Sequence, residues 1–190
     1  HMEIGEPDFT APQPVIEAAT RAMRDGLTSY TATLGLPALR EAIAQHYAER
    51  FGVVVSPARI AVTAGASGGL LLAFALLVDP GKEVLVPDPG YPGYRHFVRA
   101  FEGRAVSVPV NARTAFQPTL AQVAAAWGKN SIGLILGSPS NPTGTLIDPA
   151  ELARLAGFVA ARGATLVVDE IYQGLSYAGR PTTALALPGN

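Results

Sequence analysis

The chain has 190 residues, 48% of them hydrophobic, with a net charge of -1 and no cysteine. That length can bury a substantial core and makes one domain the default, while 15% charged residues leave no basic stripe for a nucleic-acid backbone. The missing cysteines exclude disulfides, thiolate metal sites and cysteine nucleophiles and fit a reducing, cytoplasmic setting; the longest apolar run, 70–78, is too short to span a bilayer.

Residues 2–9 read as an extended segment that continues from preceding chain. Pro14 starts a helix with Val15, Ile16, Ala19 and Met23 on one face, and Gly26 closes it. Residues 29–31 form a connector, and Pro37 opens a packing helix in which Leu39, Ile43, Tyr47 and Phe51 recur at helical spacing until Gly52. Residues 60–63 read as a strand, 65–69 as a small-residue turn and 70–78 as a buried helix. A strand at 83–87, a helix through 97–101, a strand near 105–110 and a helix at 120–127 follow. The tail after Tyr177 is rich in proline and glycine and has no closing element.

The polar motifs concentrate between 137 and 172. Strand 132–136 runs into Ser138-Pro139-Ser140-Asn141-Pro142-Thr143-Gly144, and strand 165–168 runs into Asp169-Glu170-Ile171-Tyr172. Between them Asp148 caps a helix, Pro149 takes its first position, Glu151 completes a capping box, and Leu152, Leu155, Phe158 and Val159 form the apolar stripe. A strand-helix-strand unit crosses over right-handed and leaves its strands parallel. Both polar motifs then sit at the C-terminal edge of the sheet, where open α/β sheets bind ligands, and Asn141, Asp169 and Tyr172 can meet. The alternation of strands and helices predicts an α/β fold with a three-layer, doubly wound, mainly parallel sheet.

Each motif also has a plainer reading. Gly65-Ala66-Ser67-Gly68-Gly69, between a strand and a helix, can hold a phosphate on backbone N–H groups with help from the Ser67 hydroxyl, or can be a tight packing turn. It matches neither Gly-x-Gly-x-x-Gly nor a P-loop. The stretch 166–170 resembles a Walker B strand, but Lys82 and Lys129 are the only lysines and neither follows a phosphate loop, which argues against nucleotide hydrolysis. Asn141-Pro142-Thr143-Gly144 can be a simple turn and Tyr91 a surface aromatic. His46 and His96 fall on helices away from the sheet edge and read as structural or solvent-facing.

Taken together, Gly5-Glu6-Pro7-Asp8-Phe9, Tyr30 followed by Gly35-Leu36-Pro37-Ala38-Leu39-Arg40, Thr63-Ala64-Gly65-Ala66-Ser67, Pro89-Gly90-Tyr91, Ser140-Asn141-Pro142-Thr143-Gly144 and Asp169-Glu170-Ile171-Tyr172 resemble the fold-type I pyridoxal-phosphate aminotransferases of class I and II, in order and spacing. The resemblance implies pyridoxal 5'-phosphate as cofactor, an amino acid and a 2-oxo acid as substrates, and a homodimer. It implies that Asp169 pairs with the pyridinium nitrogen, Asn141 and Tyr172 bind the phenolic oxygen, Tyr91 stacks on the ring, and Ala66 and Ser67 cradle the phosphate. Tyr30 would reach the phosphate of the neighbouring subunit, and the backbone of Gly5 would approach the substrate carboxylate.

The family's Schiff-base lysine and its carboxylate-binding arginine match nothing here, so no catalytic residue is assigned within this chain. Residues 1–36 then read as arm, helix and connector, and 37–190 as an incomplete large cofactor-binding domain without the small domain. Such a chain is expected to be part of a longer protein and inactive by itself, its 60–63 strand parted from the 165–168 strand by a gap with exposed edges. Alternative readings are a lyase or decarboxylase of the same fold, an effector-sensing domain of a transcription regulator, and an inert piece.

Overall fold

The computed structural model describes residues 5–177 and 182–187. Strands β1 (Glu83–Asp88), β2 (Arg104–Pro109), β3 (Ser131–Gly137) and β4 (Thr165–Asp169) form a parallel sheet in the order β2-β1-β3-β4. The helices are α1 (Gln13–Arg24), α2 (Pro37–Phe51), α3 (Gly65–Leu77), α4 (Gly93–Ala100), α5 (Leu120–Ala126) and α6 (Pro149–Ala160).

The layers follow from alternation along the central strands. Val84 and Val86 of β1 and Ile135 of β3 face one side, where they pack with Leu70 and Phe74 of α3 and Tyr94 and Val98 of α4. Leu85, Leu134 and Leu136 face the other, against Val123 of α5 and Leu152, Leu155 and Val159 of α6. Successive side chains of a strand point to opposite faces, so a strand apolar on both is covered on both. Each large apolar side chain buried here stabilises the fold by about 1.5–3 kcal/mol. The three-layer, parallel α/β arrangement expected from the sequence is present.

Three local expectations need correction. Residues 60–63 join no sheet: the Val62 N–H donates to the Leu34 carbonyl at 3.0 Å, and no strand of the described residues lies beside this extended stretch. An apolar β-prone sequence becomes a strand only where a neighbour completes its ladder. Residues 65–69 are not a turn preceding a helix but the first turn of α3 itself, with Gly65 at φ +72° making the corner. Glu151 does not close a capping box: Asp148 Oδ1 accepts from the Ala150 and Glu151 N–H groups, but the Glu151 carboxylate accepts the Leu120 N–H at the start of α5 and pairs with Arg154.

The start of α2 at Pro37 and its left-handed stop at Gly52 are as expected, but none of its residues is buried. Past Tyr177, residues 182–187 return to the body: Ala184 and Leu187 pack on the α5/α6 side of the core, and Thr183 Oγ1 and the Ala184 N–H donate to the Glu170 carboxylate at 2.8 and 2.6 Å. The rest of the expected tail lies outside the described residues.

Candidate functional site

At the C-terminal edge of the sheet, Ala64, Gly65, Ala66, Ser67, Leu70, Tyr91, Asn141, Asp169, Ile171 and Tyr172 enclose a cavity of about 290 Å³. Six of the residues expected from the sequence, Ala66, Ser67, Tyr91, Asn141, Asp169 and Tyr172, are therefore brought together from four segments of chain. The cavity combines one helix end, one carboxylate, one amide and two phenols.

The helix end is that of α3. Its N-cap, Ala64, has no side chain able to accept the N–H groups of the first turn, which is the positive end of the helix dipole. The small residues Gly65, Ala66 and Ser67 keep that end open, the composition an anion site requires.

Asp169 is the last residue of β4 and stands opposite Gly137 in the β3 ladder. Its backbone carbonyl accepts the Ser138 N–H at 2.9 Å, tying the ends of the two strands together. One carboxylate oxygen, Oδ1, accepts the Ile171 N–H at 3.0 Å, and the other, Oδ2, accepts the Tyr94 hydroxyl at 2.9 Å. Burial pushes the Tyr94 phenol far above its ordinary pKa, and the charge and hydrogen bond of Asp169 push it the same way, so it remains a donor. The Tyr94 ring meets Tyr91 edge-on, with centroids 5.3 Å apart.

Asn141 Nδ2 donates to Tyr172 Oη at 3.4 Å. The loop that carries Asn141 is closed by the Ser140 N–H donating to the Thr145 carbonyl at 2.9 Å. Gln117, 5% exposed, braces the loop from behind: its Nε2 donates to the carbonyls of Gly137 at 3.1 Å and Thr145 at 2.9 Å.

Gly5 and Tyr30 lie outside the cavity; Gly5 is exposed with nothing within 4 Å of where a Cβ would stand, and the Tyr30 side chain is fully exposed. Lys82 and Lys129 do not line the cavity, and His46 and His96 are exposed on α2 and α4. Among the described residues no acidic or histidine cluster could hold a metal, and no helix is long and apolar enough to cross a membrane. Sequence reasoning missed Tyr94 and Gln117. Tyr94 stands three positions after Tyr91, in the first turn of α4, close enough in sequence to be paired with it; Gln117 carries no local signal at all.

A parallel α/β sheet with an open helix end, a fixed carboxylate and an aromatic ring at its C-terminal edge has these groups where open α/β sheets hold their ligands. The chain belongs to the family Aminotransferase class I and II, whose sequence pattern matches residues 1–187. It is 42% identical over 186 residues to the valine-pyruvate aminotransferase of Mycobacterium tuberculosis, covering 98% of this chain and 48% of that protein. It is 38% identical over 182 residues to the aspartate aminotransferase of Geobacillus stearothermophilus, covering 96% of this chain and 46% of that one. The crystal structure of the aromatic aminotransferase from Pyrococcus horikoshii OT3 superposes with a TM-score of 0.93 at 33% identity, over 98% of this chain and 50% of that chain. The chain thus spans about half the length of the relatives it matches.

Proposed function

We propose that this chain forms the cofactor-binding part of a pyridoxal 5'-phosphate-dependent aminotransferase that moves an amino group between an amino acid and a 2-oxo acid. The observation that carries the reading is the convergence of Ala66, Ser67, Tyr91, Asn141, Asp169 and Tyr172 on one cavity. When bound, the cofactor supplies a ring that accepts electron density as the substrate's α-proton leaves.

The donor set fits that cofactor group by group. The first turn of α3, with Ala66 and Ser67, offers N–H groups and a positive helix end to a phosphate. The Asp169 carboxylate would pair with the ring nitrogen and favour its protonated form. Asn141 Nδ2 and Tyr172 Oη, already in contact, would donate to the phenolic oxygen and favour its negative charge. Tyr91, which lines the cavity, would offer an aromatic face to the ring. Gly5 would contribute its backbone to the substrate carboxylate and Tyr30 its hydroxyl to the phosphate of a second copy.

Exposure in the N-terminal region supports the homodimer: Val15, Met23, Leu27 and Tyr30 are large apolar or aromatic residues, each more than half exposed. The composition without cysteine supports a cytoplasmic setting. With neither lysine at the cavity, no lysine amine among the described residues is placed to carry the cofactor covalently or to move the α-proton, and the chain alone is expected not to transaminate. The names of the relatives favour transamination over a lyase or an effector-sensing regulator.

The test is a titration of the chain with pyridoxal 5'-phosphate, followed by absorbance and by cofactor retained after desalting, with Asp169→Ala in parallel. Retention by the wild type that disappears in Asp169→Ala is expected. Equal behaviour of the two proteins, or no retention by either, would overturn the assignment for this chain.

A further inference from the structure

We infer that Tyr94 is the positioning residue for Asp169: its hydroxyl, donated to Oδ2, fixes the plane of the carboxylate that would accept from the ring nitrogen of the cofactor. The inference rests on the cofactor reading above and adds to it a residue that does not line the cavity.

The geometry separates the hydroxyl from the ring that bears it. Tyr94 is 3% exposed and its ring packs in the apolar layer with Val98 and Phe74, a role phenylalanine would fill equally well. Only the hydroxyl reaches Asp169, at 2.9 Å. The end of β3 leaves room for it: a Cβ on Gly137 would stand 3.1 Å from Tyr94 Oη, tighter than ordinary packing. Gly137 is also the ladder partner of Asp169, so donor, acceptor and the missing side chain meet at one point.

The two donors act together. With the Ile171 N–H on Oδ1 and Tyr94 on Oδ2, rotation about the Cβ–Cγ bond of Asp169 would break at least one hydrogen bond. A carboxylate held this way is already oriented when a ring arrives. The Tyr94 ring also meets Tyr91 edge-on, so one residue of α4 braces both the acid and the stacking aromatic. Tyr94→Phe removes the first function and keeps the second.

The probe is pyridoxamine 5'-phosphate labelled with ¹⁵N in the ring, which needs no covalent attachment. Wild type, Tyr94→Phe and Gly137→Ala are titrated calorimetrically, the ring ¹⁵N resonance is recorded at saturation, and the Asp169 carboxyl ¹³C resonance is recorded without ligand. Tyr94→Phe is expected to move the Asp169 resonance, to weaken binding about tenfold, as loss of a hydrogen bond to a charged group does, and to shift the ring nitrogen toward its unprotonated position. Gly137→Ala, which crowds the hydroxyl without removing it, is expected to move all three in the same direction by less, and it serves as the test should Tyr94→Phe not fold. A Tyr94→Phe chain with wild-type affinity and an unmoved ring ¹⁵N resonance overturns the role of Tyr94 and leaves the cofactor reading standing. Wild type that does not bind the probe overturns both.

Discussion

A Cβ on residue 93 would stand 2.3 Å from Cε1 of Tyr91, so the aromatic face of the cavity lies where it does because its neighbour two positions on is glycine. Atoms do not approach that closely, and since Tyr91 is a side chain at the cavity wall, the ring is what would move. Gly93→Ala is therefore expected to leave the unfolding midpoint within a few degrees of wild type, because alanine suits a helix better than glycine. Binding of pyridoxal 5'-phosphate should fall by about tenfold, the scale of a lost aromatic contact. Parallel thermal melts and cofactor titrations check this; unchanged binding would show that the Tyr91 ring is not a contact.

Ser67 is the third residue of α3, in the helix turn that lines the cavity. A carboxylate at such a position favours the helix by about 0.3–1 kcal/mol through its dipole. The same charge repels an anion. Ser67→Asp is expected to hold or raise the stability of the chain and to abolish retention of pyridoxal 5'-phosphate, two effects of opposite sign read from one melt and one desalting column.

Gln117 is buried and donates to two backbone carbonyls on either side of the Asn141 loop. Gln117→Met keeps the volume and removes the donors. The expected loss is about 1–3 kcal/mol of folding stability, the sum of two hydrogen bonds at about 0.5–1.5 kcal/mol each. Amide hydrogen exchange should quicken at residues 140–145, where the Ser140 N–H and Thr145 carbonyl close the loop. Protection equal to wild type there would show that the loop is held without Gln117.

Glu151, 15% exposed, links α6 to α5 through the Leu120 N–H and pairs with Arg154. Its surroundings push the carboxyl pKa up by burial, but the Arg154 and Leu120 hydrogen bonds outweigh this and hold it below the usual range. A depressed folded-state pKa contributes stability in full above the unfolded value, about 4, and that contribution is lost as pH falls through the folded value. Glu151→Gln should therefore unfold more easily than wild type at neutral pH by about 1 kcal/mol, with the gap closing in acid. Denaturant curves at pH 7 and pH 3 check the sign.

Most of the elements were legible in the sequence because their signals are local. Pro37 and Gly52 bound α2, Asp148 and Pro149 start α6, and unbroken apolar runs mark β1, β3 and β4. The site was legible for a related reason: Asn141 lies in the loop that leaves β3 and Asp169 ends β4, so parallel pairing of those strands brings them to one edge. The reading failed where an outcome depends on a distant neighbour. Residues 60–63 have the composition of a strand, but no ladder stands beside them. Glu151 has the spacing of a capping box, but the Leu120 N–H of another helix takes its carboxylate.

What the sequence determined alone was therefore most of the helices, the four strands of the sheet, their parallel sense, and six of the residues at the sheet's C-terminal edge. Caps, turns and apolar periodicity act over a few residues and need no knowledge of the rest of the chain. Tertiary structure alone decided that the Tyr94 hydroxyl meets Asp169, 75 positions further along, and that Gln117 holds a loop 28 positions away. A side-chain hydrogen bond forms only within about 3 Å, and which donors come that close is set by how helices settle on both faces of the sheet, a packing result that no stretch of sequence encodes by itself.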